Sequence, residues 1–390
     1  MRRHKMLKII NGKIISGGEI TEAILYAEGG RIVEISNADK PADKIIDAKG
    51  NYVSPGFIDT HVHGGGGADV MDATAEAICK MAKTHLKYGT TSICPTTAAS
   101  THENLLAAVK AYMSVLDRSG KDGMPNLVGL HLEGPNFSPA QAGAQDPENI
   151  YPPRRDEYTE IISIAEGHIA KWSFAPELPG SEEFCDYLTA HGILPCIGHT
   201  DGTYDDVMRV YPRGAKCLTH FYSGMSGITR VGGYRIPGVI ESGYILDGMW
   251  LEIIGDGAHI PPLLLKMICK LKGTDKIMLV TDAMRGATMP EGPSILGAGT
   301  ACIIEDGIAK MPDRTCFTGS VATTDRLVRT LYKKAEIPLP KAVDMMTKNP
   351  ALAIGLKSKG ELRVGFDADI VIFDDDINIK SVIVLGNVVI

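Results

Sequence analysis

The chain has 390 residues, 44% hydrophobic and 22% charged, with a formal net charge of −7. These values are ordinary for a soluble globular protein with one large core and room for a smaller one. The negative balance argues against nucleic acid as a bulk partner, and no apolar run reaches the ~18 residues of a membrane span.

The opening, MRRHKMLKII, is basic and then apolar. Its apolar part is too short for a signal-peptide core, so it predicts the first strand of a cytoplasmic protein. The first fifty residues hold short β-rich runs broken by Gly, Asn and Asp, and the last thirty look alike. Both ends together predict one small β-sandwich, because chain termini often lie close. The expected division is 1–53 and 357–390 for the sandwich, with 54–356 between them. The eight cysteines show no CxxC and no pairing rhythm, and read as reduced, buried thiols.

The centre alternates. Strand-like apolar runs fall at 57–63, 90–97, 127–133, 171–177, 193–199, 215–220, 249–256 and 276–282. Helical patterns separate them. One carries Ile78, Met81, Ala82 and Leu86 at helical spacing, and another opens with Ser100 and Glu103 as a capping box. Eight apolar strands separated by helices predict an α/β fold, a (β/α)8 TIM-like barrel. A doubly wound sheet is the alternative, but no GxGxxG follows the first strand.

Barrel chemistry gathers at the C-terminal ends of the strands. The first predicted strand closes on His61 and His63, which alternation points to the same face. Two imidazoles side by side can grip one metal ion, and the glycines Gly64 to Gly67 leave open space beside them. The third strand ends in Glu133, the fifth in His199, the sixth in His220 and the eighth in Asp282. Four histidines and two acids at one mouth could hold one or two divalent metals and leave an acid for proton transfer. Burying so many ionisable groups together is expensive without a metal.

The stretches SPGFIDTHVHG, GLHLEGPNFSPAQAGAQ, IGHTDGTYDD, THFYSGMSG, VTDAMRG and the tail from Thr347 resemble the amidohydrolase superfamily. Within it they are similar to the N-acetylglucosamine-6-phosphate deacetylases, over essentially the whole chain. Many relatives use a carbamylated lysine at a later strand end. Here the fourth strand is expected to end in Glu177 instead.

The resemblance implies hydrolysis of an acetamide on a phosphorylated N-acetylamino sugar. It implies His61, His63, Glu133, His199 and His220 as ligands for one or two ions, Zn2+ or Fe2+, with Glu133 bridging. It implies Asp282 as the base that takes a proton from the attacking water and then protonates the leaving amine. On the substrate side it implies His259 and Gln145 toward the sugar. Ser223 and Gly224 would offer backbone N–H groups to the phosphate, and Arg235 would hold it as a fork. That arginine reaches across a homodimer in relatives, and Arg230 is a rival for its role. Other possible substrates are the N-acetylgalactosamine epimer, a cyclic amide or an N-acyl amino acid. An inactive oligomerising scaffold is the remaining alternative.

Overall fold

The structure is a computed structural model and describes residues 5–297 and 299–390. The first four residues of the predicted opening strand lie outside the described residues.

All eight predicted central strands form. They are β1 Phe57–Val62, β2 Thr90–Pro95, β3 Leu130–Glu133, β4 Ile169–Phe174, β5 Leu194–Ile197, β6 Cys217–Leu218, β7 Trp250–Ile254 and β8 Ile277–Val280. Neighbouring strands pair in parallel. Nearly every residue in them is buried, which is why they read as continuous apolar runs rather than alternating ones. The strands form two arcs: β1 with β2, and β3 through β8 in order. Single parallel bridges, Thr96 to His131 and Val62 to Ala283, join the arcs at both gaps.

Two helices illustrate the outer layer. Ala75–Leu86 starts at Thr74, whose side chain accepts the N–H of Ala77, and it buries Ile78, Met81, Ala82 and Leu86 as its spacing predicts. His102–Met113 corrects the expected cap. Thr101, not Ser100, accepts the N–H of Asn104, while the buried Ser100 hydroxyl takes the Asn104 side-chain amide at 3.1 Å. The Ser100 and Glu103 box therefore does not form.

The two chain ends share one sheet of eight strands. Strand Ile370–Phe373 lies antiparallel to Tyr52–Pro55 and stitches the C-terminal part to the N-terminal part. Strand Leu7–Ser16 pairs with Lys44–Asp47 along its first half and with Tyr52–Pro55 along its second. The expected sandwich of two sheets is thus one continuous sheet around a core of Leu7, Ile9, Leu25, Val53, Ile370 and Ile383. A bulge between Ile9 and Gly12, in the pairing with Glu19–Glu28, falls where the partner on the other edge changes. Glycine is required there, since a Cβ on Gly12 would sit 2.4 Å from Val53. This sheet also runs on to Pro55, past the expected boundary at 53.

Three further differences bear on the site. β4 ends at Phe174, so Glu177 lies in the loop beyond it, where it takes the Thr200 hydroxyl at 2.6 Å and the Asp201 N–H at 2.8 Å. An antiparallel hairpin, Thr229–Val231 with Tyr234–Ile236, follows β6. A three-stranded antiparallel sheet, Gly292–Leu296, Thr300–Glu305 and Ile308–Lys310, follows β8. The sequence reading assigned neither excursion. Among the described residues no helix is long and apolar enough to cross a membrane.

Candidate active site

Five strands deliver the six predicted groups to one place. His61 lies in β1 and Glu133 closes β3, while His63, His199, His220 and Asp282 sit just beyond the ends of β1, β5, β6 and β8. His199, His220 and Asp282 have left-handed backbones, with φ of 46°, 32° and 49°. Such angles are uncommon outside glycine. They turn each chain off its strand at the residue whose side chain enters the cluster.

The distances are short. Nε2 of His61 and Nε2 of His63 are 3.2 Å apart, and Nε2 of His199 and Nε2 of His220 are 3.0 Å apart. Glu133 Oε1 lies 2.9 Å from His220, 3.4 Å from His61 and 3.5 Å from His199, and its Oε2 lies 3.2 Å from His63. Asp282 Oδ1 is 3.3 Å from His61 and 3.2 Å from His63. Two groups result that could each hold a metal ion, His61, His63 and Glu133, and Glu133, His199 and His220.

The donor set fits a metal. Nδ1 of His199 faces the Gln141 carbonyl at 2.8 Å, and Nδ1 of His220 faces the Ser223 carbonyl at 3.1 Å. A carbonyl only accepts, so each Nδ1 carries the proton and each Nε2 presents a bare lone pair. Two lone pairs 3.0 Å apart repel unless a cation lies between them. A tetrahedral zinc with bonds of ~2.0–2.1 Å sets its ligand atoms roughly 3.3–3.4 Å apart, close to the spacing found.

Charge in the cluster follows its geometry. Burial raises the Glu133 carboxyl, but His61 and the other imidazoles outweigh it and hold it well below the usual carboxylate range. Burial also raises Asp282, and His61 and His63 outweigh that as well. Both carboxylates are ionised and ready to accept.

A cavity of about 480 Å³ opens above the cluster. That lies within the range of small-molecule sites. His63, Glu133, His199, His220 and Asp282 line it, while His61 is fully buried beneath. His259 lines it too, with Nδ1 held by Asp256 Oδ2 at 2.8 Å. It does not cap the following helix, whose N-cap is Pro261.

Other expected substrate contacts need correction. Gln145 lines the cavity; Nε2 donates one hydrogen to Glu133 Oε2 at 2.7 Å, and Oε1 accepts the Ala99 N–H at 2.8 Å. It steadies Glu133, and its second amide hydrogen is left for the cavity. Ser223 and Gly224 both line the cavity, yet the Ser223 N–H closes a turn onto His220 O at 2.9 Å. Among the described residues the Gly224 N–H has no protein acceptor. Gly224 must lack a side chain, since its φ is 55° and a Cβ would lie 3.2 Å from His199 Nδ1. Arg235 and Arg230 face each other across the hairpin, exposed, and neither lines the cavity of its own chain.

Sequence reasoning missed two groups of residues. Arg314, Thr315, Cys316 and Phe317, from the loop after the inserted sheet, roof the cavity. Arg314 is clamped by Glu305 through Nε and Nη2, both at 3.1 Å. Beneath the cluster, Lys171 in β4 and Glu252 in β7 form a fully buried ion pair. A charged residue inside an otherwise apolar strand, as in AKWSF and WLEII, was the available signal.

The family description for the amidohydrolases matches residues 52–389. The N-acetylglucosamine-6-phosphate deacetylase of Lysinibacillus sphaericus is 32% identical over 343 residues, covering 88% of this chain and 87% of the relative. The N-acetylgalactosamine-6-phosphate deacetylase of Escherichia coli O157:H7 is 29% identical over 343 residues, covering 88% and 89%. Among solved structures, a mutant of the N-acetyl-D-glucosamine-6-phosphate deacetylase from Mycobacterium smegmatis, in complex with N-acetyl-D-glucosamine-6-phosphate, superposes with a TM-score of 0.90 at 28% identity, covering 100% of both chains.

Proposed function

This chain belongs to the amidohydrolase family, and we propose that it hydrolyses the acetamide of N-acetylglucosamine 6-phosphate to the free amine and acetate. One observation carries this: a carboxylate, Asp282, stands 3.2–3.3 Å from two imidazoles of a five-residue ligand cluster on the floor of a sugar-sized cavity. We read the two strand arcs as one (β/α)8 barrel that begins after Pro55 and runs to 356, with the chain up to Pro55 and 357–390 as a smaller domain.

His61, His63, Glu133, His199 and His220 would hold one or two divalent ions, Zn2+ or Fe2+. Such an ion polarises the amide carbonyl and makes water acidic enough to attack near neutral pH. Asp282 is ionised and within reach, so its Oδ1 takes the proton that the attacking water loses. It then gives that proton to the amide nitrogen as the C–N bond breaks, because an amine leaves poorly unless protonated. Gln145 keeps Glu133 in place, and Asp256 keeps His259 aimed into the cavity to orient the substrate.

The phosphate end is built from the Gly224 N–H and from cations. We assign Arg235 to the cavity of a second copy, which makes the working unit a homodimer. Two features support this. Arg235 stands on an exposed hairpin beside the exposed Ile228, Val231 and Tyr234, and Leu263, Met267 and Leu271 expose a further stripe on helix Pro262–Lys272. Exposed clusters of large apolar side chains of this kind are what a docking face presents.

The galactosamine epimer is the second reading, because relatives named for either sugar match with similar identity and coverage. A substrate panel separates the two. N-acetylglucosamine 6-phosphate is expected to release acetate with a kcat/KM at least tenfold above its epimer, and the unphosphorylated sugar to lag further. Turnover of the epimer alone moves the substrate, and turnover of neither sugar phosphate removes the proposal.

A further inference from the structure

Beneath the ligand cluster, two buried polar atoms face each other without a hydrogen-bond partner. They are Nδ1 of His61 and Oε2 of Glu252, 3.5 Å apart, on residues that are 0% exposed. The other Glu252 oxygen is engaged, by Lys171 Nζ and, at 3.5 Å, by the Thr60 hydroxyl. A carboxylate in so dry a place persists only when paired. Lys171 supplies the pairing and leaves one oxygen pointing at His61.

Two other histidines of the cluster show what that oxygen does, while Nδ1 of the fourth, His63, is buried without a partner. His199 and His220 each turn Nδ1 to a backbone carbonyl, which fixes the tautomer that frees Nε2. No carbonyl serves His61, and Glu252 takes that place. We infer that Glu252, held ionised by Lys171, is the positioning residue that keeps the His61 proton on Nδ1 and its Nε2 lone pair turned toward His63 and Glu133. This rests on the metal-dependent reading above. A partner on the far nitrogen of a ligating histidine orients the ring, raises its basicity, and is worth about 10–100-fold in metal affinity.

The test compares two double variants, because removing one member alone strands a buried charge. K171M/E252M loses both charges and the acceptor. K171M/E252Q loses the charges but keeps a neutral acceptor facing Nδ1. Zinc alone is titrated into the metal-stripped full chain by equilibrium dialysis, and the ring nitrogens of 15N-labelled histidines are followed by NMR. The expected result is zinc binding about 10–100-fold weaker in K171M/E252M, with a mixed His61 tautomer, and both partly restored in K171M/E252Q. A purely structural pair would affect the two variants alike. Equal zinc binding in both variants and the wild type overturns the inference, and so does failure of both to fold. If the wild type itself binds no zinc, the metal-dependent reading fails first.

Discussion

At the scale of the residue, the site depends on side chains whose second contact is as informative as the first. Asp282 touches both His61 and His63, and it is the one carboxylate of the cluster outside both ligand sets. Asp282→Asn should lower kcat by roughly 10²–10⁴-fold and leave zinc content unchanged, read by steady-state kinetics beside metal analysis. Gln145 faces both Glu133 and the cavity. If it steadies Glu133, Gln145→Leu should lower kcat and zinc affinity while KM moves less than twofold. A large rise in KM would return it to the sugar. The cluster itself was legible, because alternation on a strand puts His61 beside His63 and a strand end delivers Glu133 to the same mouth. The role of Gln145 was not. Its orientation is set by the Ala99 N–H, which comes from a loop distant in sequence.

At the scale of the element, most of the chain follows its own local chemistry. The eight strands could be read because burial on both faces demands unbroken apolar runs. The three-stranded excursion after β8 was passed over, since its first strand alternates half-buried and exposed positions and buries only Leu296. The helix cap at His102 was misplaced by one residue. Thr101→Ala should cost about 1 kcal/mol and Ser100→Ala less, as judged by urea unfolding. The turn joining Ile370–Phe373 to Ile379–Val384 makes a pH prediction. Asp374 accepts the N–H groups of Asp376 and Asn378 at 3.0 and 2.9 Å and pairs with Lys380 at 2.9 Å. Slight burial raises its carboxyl, but Lys380 and those amides outweigh it and hold it well below the usual range. A carboxyl lowered on folding contributes stability that is fully present above the ordinary carboxylate range and is lost progressively as pH falls from that range to the depressed folded value. Asp374→Asn should therefore cost about 1 kcal/mol at pH 7, with the gap to the wild type closing below about pH 4.

At the scale of the whole molecule, the cavity is furnished by its own chain on the hydrolytic side and less fully on the phosphate side. Arg314 reaches the cavity but is already clamped by Glu305, and Arg235 is exposed away from it. If Arg235 serves a second copy, Arg235→Ala and Asp282→Asn proteins, each inactive alone, should regain activity when mixed and allowed to exchange subunits. An Arg235 that acts within its own chain, or not at all, gives no recovery. A contact of that kind would lie beyond what apolar spacing displays, since such spacing reports burial inside a fold and not the surface that another molecule covers. The central claim, a metal-dependent deacetylase built on the His61, His63, Glu133, His199, His220 and Asp282 cluster, is tested most directly by acetate release from N-acetylglucosamine 6-phosphate. The protein would be stripped of metal and then restored with zinc or iron(II). The account predicts no release from the stripped protein, recovery on adding metal, and none from Asp282→Asn with metal bound. Release that survives stripping, or a metal-loaded wild type that leaves the substrate intact, would contradict it.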